Sequence, residues 1–190
     1  MLKTVILIGG VPGTGKTTLS YYLASKFECD KIINLDTMKN ILLAHKIGSK
    51  DKYFKSTTHE SYLIENLDPV DGFIKHCNSI QAKLKQCLNN FKDDNFLIIE
   101  GAQLTPDFID FFSKDEYQVF YFNLYSYNKN TLLHRYDKKL KIRYYPWKEN
   151  IDVILKIQEY LRSFKHVYQI AIQEFNYSNS IYEIIREGML

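Results

Sequence analysis

The segment Gly10-Val11-Pro12-Gly13-Thr14-Gly15-Lys16-Thr17 sets a lysine and a hydroxyl directly behind three glycines. Gly10, Gly15, Lys16 and Thr17 match the pattern G-x-x-x-x-G-K-[ST]. The spacing suits one chemistry. Glycines let successive backbone N–H groups turn inward around phosphate oxygens, and a helix that starts behind them adds its positive end. Lys16 would neutralise β and γ oxygens, and the Thr17 hydroxyl would ligate Mg²⁺. Gly10, Gly13, Thr14, Gly15, Lys16, Thr17 and Thr18 are therefore the expected contacts to a nucleoside triphosphate. The alternative is a glycine turn that binds nothing, which the placement between a strand and a helix argues against.

Other candidates lie far from this segment in sequence. Asp36 ends an apolar run, where the carboxyl ends of a parallel sheet face a ligand crevice. It reads either as a general base for an acceptor hydroxyl or as the N-cap of the helix that follows. Glu100 follows Phe96-Leu97-Ile98-Ile99 and precedes Gly101, so its carboxylate is partly buried and needs a partner. A strand ending there beside the first one would bring Glu100 to the metal on Thr17. Arg135, Lys138, Lys139, Lys141 and Arg143 form a basic cluster, read either as a solvated helix face or as a lid that brings Arg135 to a transferring phosphoryl group. His59, in the polar stretch Ser56 to Tyr62, has no second ligand at zinc spacing; its position in an irregular segment suggests contact with an acceptor.

The elements that must position these residues follow from periodicity. Thr4 to Ile8 reads as a strand buried on both faces, and Lys16 to Phe27 as a helix with Leu19, Tyr22, Leu23 and Phe27 on one side. Lys31 to Leu35, Asn95 to Ile99, Tyr117 to Leu124 and Ile170 to Phe175 read as four further strands. Between them lie helices at Thr37 to His45, Asp71 (as cap) to about Phe91, from Thr105-Pro106, Asn130 to Arg143, Ile151 to Phe164, and Ser178 to Arg186. The alternation predicts an α/β fold: a parallel five-stranded sheet with helices on both faces, in one domain. Residues from about 48 to 70 lose periodicity and are expected to form an acceptor-side insertion, and about 128–147 a lid.

With 190 residues, 45% hydrophobic and 25% charged, the chain can bury a full core, so disorder and fibrous architecture are excluded. A net charge of +3 is too small to announce nucleic acid as a partner. Cys29, Cys77 and Cys87 are odd in number and form no C-x-x-C pair. With no signal-like or membrane-spanning apolar run, a reducing cytoplasm is the expected location.

The P-loop, Ser61-Tyr62, the run from Gly72-Phe73 through Gln81 to Ile98-Ile99-Glu100-Gly101-Ala102-Gln103-Leu104-Thr105-Pro106, and Ile157-Gln158-Glu159-Tyr160-Leu161 together resemble the 2-phosphoglycerate kinase family of P-loop kinases. The resemblance spans most of the chain, with the P-loop its most specific part. It implies a nucleoside-monophosphate-kinase-like sheet, ATP with Mg²⁺ as donor, and a small hydroxylated or phosphorylated acceptor of phosphoglycerate type. Gln103 stands where the family pattern has histidine, Lys139 where it has arginine, and the additional N-terminal domain is not seen.

Competing functions are separable by residue type. Asn128-Lys129-Asn130-Thr131 approaches the guanine-reading N-K-x-D, but Thr131 replaces the aspartate and no D-x-x-G follows the third strand, which disfavours a regulatory GTPase. Lysines and arginines from Lys138 to Lys148, interleaved with Tyr144, Tyr145 and Trp147, would suit an RNA-directed kinase or ATPase. A non-catalytic nucleotide-binding module is disfavoured by the joint presence of Lys16, Thr17, Asp36 and Glu100. The expected activity is small-molecule phosphoryl transfer with Lys16, Asp36 and Arg135 as its catalytic residues and Thr17 and Glu100 as its metal ligands.

Overall fold

The computed structural model describes residues 2–89, 95–140, 147–174 and 176–189, with side chains for all of these except 139 and 140. Five strands, β1 (Lys3–Gly10), β2 (Ile32–Asn34), β3 (Phe96–Glu100), β4 (Tyr117–Tyr125) and β5 (Tyr168–Ala171), form one parallel sheet in the order β2-β3-β1-β4-β5. β1 is central because it can be covered on both faces. Its alternate residues Ile6 and Ile8 enter one core, with Leu19, Leu23, Ile154 and Ile181, while Val5 and Leu7 enter the other, with Leu35, Phe54, Leu84 and Phe108. The expected parallel five-stranded sheet is thus observed.

Among the described residues seven helices accompany it: α1 (Lys16–Lys26), α2 (Leu35–Ala44), α3 (Lys52–Lys55), α4 (Pro69–Leu88), α5 (Lys129–Leu140), α6 (Ile151–Arg162) and α7 (Tyr177–Met189), with 3-10 turns at Ser61–Ile64 and Pro106–Phe111. Several boundaries differ from expectation, each for a local reason. α2 begins at Leu35 because Asn34 caps it, its side chain accepting from Thr37 N at 2.7 Å. Asp36 is therefore not the cap; it sits in the first turn. Likewise Asp68, not Asp71, caps α4, accepting from Val70 N with Pro69 at the first helical position. Thr105 caps nothing with its side chain; its hydroxyl accepts from Gln81 Nε2 at 2.9 Å. β5 lies two residues earlier than its apolar pattern suggests because Tyr168 and Gln169 pair with Phe122 and Asn123 of β4. Phe91, Lys141, Arg143, Tyr144, Tyr145, Pro146 and Phe175 lie outside the described residues.

The stretch expected to be irregular, from about 48 to 70, holds α3 and the first 3-10 turn and is anchored to α4. Asp51 accepts from Tyr53 N, Phe54 N and Ser79 Oγ, the last at 2.6 Å. Phe54 is fully buried, the His76 ring nitrogen Nδ1 meets the Tyr53 carbonyl at 2.7 Å, and Gly72 lets the Tyr62 backbone approach where any Cβ would collide with it. This docking delivers Thr57, Thr58 and His59 to the carboxyl-end rim of the sheet.

Candidate functional site

The loop between β1 and α1 is shaped by three glycines at positive φ: Gly10 at 124°, Gly13 at 81° and Gly15 at 95°. At Gly10 a side chain would strike the Leu124 carbonyl of β4, and at Gly13 the ring of Tyr136. Tyr136, buried on α5, supports the loop from below by donating to the Pro12 carbonyl at 2.9 Å. Thr14 turns its hydroxyl inward to the Val11 carbonyl at 2.9 Å, so it can serve a ligand only through its backbone N–H. Gly15 precedes α1 in a left-handed conformation and no side chain caps that helix, which leaves its positive end to a ligand. Lys16 is buried along its stem, and its ammonium donates to the Val11 carbonyl at 3.0 Å. A cleft of about 370 Å³ opens over this loop, lined by Gly13, Gly15, Lys16, Thr17, Thr18, Arg135, Lys138 and Tyr177. Gly10 lies beneath the loop in β1 and does not line the cleft, so its role is to permit the turn.

Beside the loop, Glu100 closes β3 with 2% exposure. Its Oε1 accepts from the Thr17 hydroxyl at 2.8 Å and also from the Asn34 side-chain amide. Parallel register explains the convergence: Glu100 lies opposite Ile8 of β1 on one side and Asn34 of β2 on the other. A hydroxyl and a carboxylate oxygen this close form a hard-oxygen pair of the kind that would suit Mg²⁺. Among the described residues no group of three His, Cys, Asp or Glu could hold a metal by itself.

A second cleft of about 250 Å³ adjoins the first across Gly13, Lys16 and Thr17. Its far wall carries Asp36, Lys39, Thr57, Thr58, His59, Gln103 and Trp147. Asp36 accepts from Gln103 Nε2 at 2.6 Å, and Gln103 is fixed in turn by Gln81, which donates to its backbone carbonyl at 2.8 Å. Lys39 follows Asp36 by three residues on the same face of α2, is 8% exposed, and donates to the Ser56 carbonyl. Burial pulls its pKa below the ordinary lysine value, with the Asp36 carboxylate opposing the shift. His59 is 3% exposed and burial lowers its pKa too, partly offset by Glu60.

Arg135, on α5, donates to the Gly13 carbonyl at 3.2 Å and so stands at the phosphate loop. Lys138 lines the same cleft one turn on. Trp147 packs against Tyr136 with ring centroids 5.2 Å apart and the rings tilted by 57°, and it lines the second cleft, while Lys148 pairs with Asp137 at 3.1 Å. Asn128, from the near match to a guanine-reading motif, accepts from Asn130 N at the start of α5. Of the remaining basic cluster, the Lys139 side chain and residues Lys141 and Arg143 lie outside the description.

The structure therefore brings Lys16, Thr17, Asp36, Glu100, Arg135 and His59 to two adjoining clefts. Sequence reasoning passed over Lys39, Asn34 and Tyr136 as site residues, and took Trp147 only as part of a stretch suited to RNA. Lys39 alone offered a signal, three positions after an acidic residue on a recognised helix; the others declare themselves only through contacts.

No family model matches the chain. It is 25% identical over 189 residues to a 2-phosphoglycerate kinase of Pyrococcus furiosus, a match covering 91% of this chain and 59% of that protein. It is 27% identical over 119 residues to a mevalonate-3-phosphate 5-kinase of Thermoplasma acidophilum, covering 58% and 56%. The chain thus spans less than two thirds of the length of these curated relatives. In structure it superposes on a gluconokinase from Sinorhizobium meliloti with a TM-score of 0.57 at 11% identity, covering 99% of this chain and 96% of that one. The fold is that of a P-loop kinase, and the chain is similar in sequence to 2-phosphoglycerate kinases. No helix among the described residues is long and apolar enough to cross a membrane.

Proposed function

We propose that the chain is an ATP- and Mg²⁺-dependent kinase that phosphorylates a hydroxyl of a small metabolite, of which 2-phosphoglycerate is the first candidate because it names most of the relatives. The observation that carries this reading is the meeting of two clefts on the shared residues Gly13, Lys16 and Thr17. A module that only binds nucleotide has no use for the second cleft, with its oriented carboxylate.

Each residue has a role in the reaction. The loop amides and Lys16 hold the donor phosphates, and Arg135 stabilises charge that grows on the transferring group. Thr17 and Glu100 would hold Mg²⁺, which when bound neutralises charge on the β and γ phosphates. Asp36, oriented by Gln103, accepts the proton of the acceptor hydroxyl as that oxygen bonds to the γ phosphorus. The bond from the γ phosphorus to the bridging oxygen breaks, and ADP leaves with the electron pair. The engaged states of Trp147 and Lys148 favour a lid over an open RNA-binding face. A cytoplasmic setting suits Cys29, Cys77 and Cys87, which form no disulfide with one another.

The test is transfer of labelled phosphate from ATP to a panel of hydroxylated metabolites, with Lys16→Ala alongside. The variant should keep its fold and lose transfer by orders of magnitude, since Lys16 supplies charge at the phosphates. Near-normal transfer by folded Lys16→Ala would end the reading.

A further inference from the structure

His59 and His76 invite comparison, because both are buried histidines on neighbouring elements. His76 is fully buried and its Nδ1 is engaged by the Tyr53 carbonyl and by Ser56 Oγ at 3.2 Å, so that only its Nε2 lacks a partner among the described residues. His59 is 3% exposed and neither ring nitrogen has a hydrogen-bond partner among the described residues. A buried polar group left unpaired costs about 1–3 kcal/mol, and here both nitrogens of one ring carry that cost, which a bound polar group would relieve. Behind the ring lies an apolar gap walled by Val11, Phe73, Ile154 and Ile157, which offers it nothing. His59 also lines the acceptor cleft.

Lys39 faces the same cleft. Its ammonium is withdrawn from water, and a backbone carbonyl takes one of its three protons. The nearby Asp36 carboxylate is already bound by Gln103. Gln103 Oε1 is a further buried atom without a partner on this wall. The wall thus presents a cation and a neutral imidazole beside the carboxylate that takes the hydroxyl proton.

We infer that Lys39 and His59 are the specificity-determining residues of the acceptor site: Lys39 pairs with an oxyanion, carboxylate or phosphate, borne by the acceptor, and His59 hydrogen-bonds the same group. This rests on the kinase reading and adds the residues that select the acceptor. Asp36 and Lys39 are neighbours on one helix face, so the reacting hydroxyl and the oxyanion lie on one short molecule. An uncharged polyol of the same size leaves a buried ammonium unpaired and is rejected.

Four three-carbon compounds test this: 2-phosphoglycerate, glycerate, glycerol 2-phosphate and glycerol, titrated calorimetrically into the protein saturated with Mg²⁺ and a non-hydrolysable ATP analogue. At least one anionic member should bind at least about thirty-fold more tightly than glycerol, the factor expected for a buried charge pair. Glycerate and glycerol 2-phosphate then tell which oxyanion is read. Lys39→Met, which fills the same buried volume, should erase that preference while the analogue binds within about twofold of wild type. His59→Leu should weaken the preferred anion by about tenfold, and His59→Gln should restore most of it, since an amide also offers a donor and an acceptor. Equal binding of glycerol and the anions overturns the inference, as does an unchanged anion preference in folded Lys39→Met. Failure of the ATP analogue to bind wild type would instead sink the kinase reading beneath it.

Discussion

Replacing Glu100 by Gln separates a metal ligand from a strand-end hydrogen bond, because the two roles predict opposite responses. The side chain is 2% exposed and accepts from two neutral donors, the Thr17 hydroxyl at 2.8 Å and the Asn34 amide. Gln keeps the volume and an accepting oxygen but removes a charge whose burial is costly. Nucleotide-free protein should therefore be unchanged or up to about 1 kcal/mol more stable, a rise in Tm of roughly 2–4 °C for a chain of this size. Binding of Mg²⁺ and ATP should suffer. Loss of a metal-orienting carboxylate costs on the order of 10–100-fold in metal affinity. With ligand at about a hundred times the wild-type Kd, stabilisation is about 2.7 kcal/mol; thirty-fold weaker binding leaves about 0.9. A thermal-shift titration of both proteins with MgATP, and with ATP plus EDTA, reads this as a ligand-induced rise that shrinks from about 8 °C to about 3 °C. If the variant instead loses several degrees without ligand and keeps the full Mg²⁺-dependent rise, Glu100 is a structural acceptor and the assignment is wrong.

Two further outcomes follow. Arg135→Met should lower kcat by about 10²–10³ with little change in KM for the acceptor, because Arg135 meets charge that develops only in the transition state; a selective rise in KM in steady-state assays would show a binding role instead. His76 carries a pH signature: burial lowers its pKa from 6.5 to about 4, so its contribution to stability is complete above pH 6.5 and falls away as pH drops toward 4. Between about pH 7.5 and pH 5 this should remove about 2 kcal/mol of unfolding free energy in urea melts, and the same melts on His76→Gln should lack that part of the slope.

Local chemistry made much of this protein legible in one dimension. The phosphate loop could be read because its requirements are contiguous: an aliphatic strand, glycines where φ must be positive, then a helix start. Glu100 could be read because a carboxylate directly after four apolar residues is buried wherever the strand goes, and a parallel sheet has few places for it. Which of two nearby polar residues caps a helix depended on dihedral angles that composition leaves open, so Asn34 took the cap that was one of two readings for Asp36, and Asp68 that expected for Asp71. Asp36 was thereby left free to meet Gln103, a bond between residues 67 positions apart. The acceptor wall is wholly a product of tertiary packing. Residues 51 to 64 have no period of their own because their partners lie on α4, in Ser79, His76 and Gly72, and that docking alone carries His59 to the cleft opposite Lys39. Hydrophobic period and backbone sterics act within a few residues and so survive in the sequence. Pairings between distant side chains exist only once the sheet has brought its carboxyl ends together, and it is there that both clefts lie.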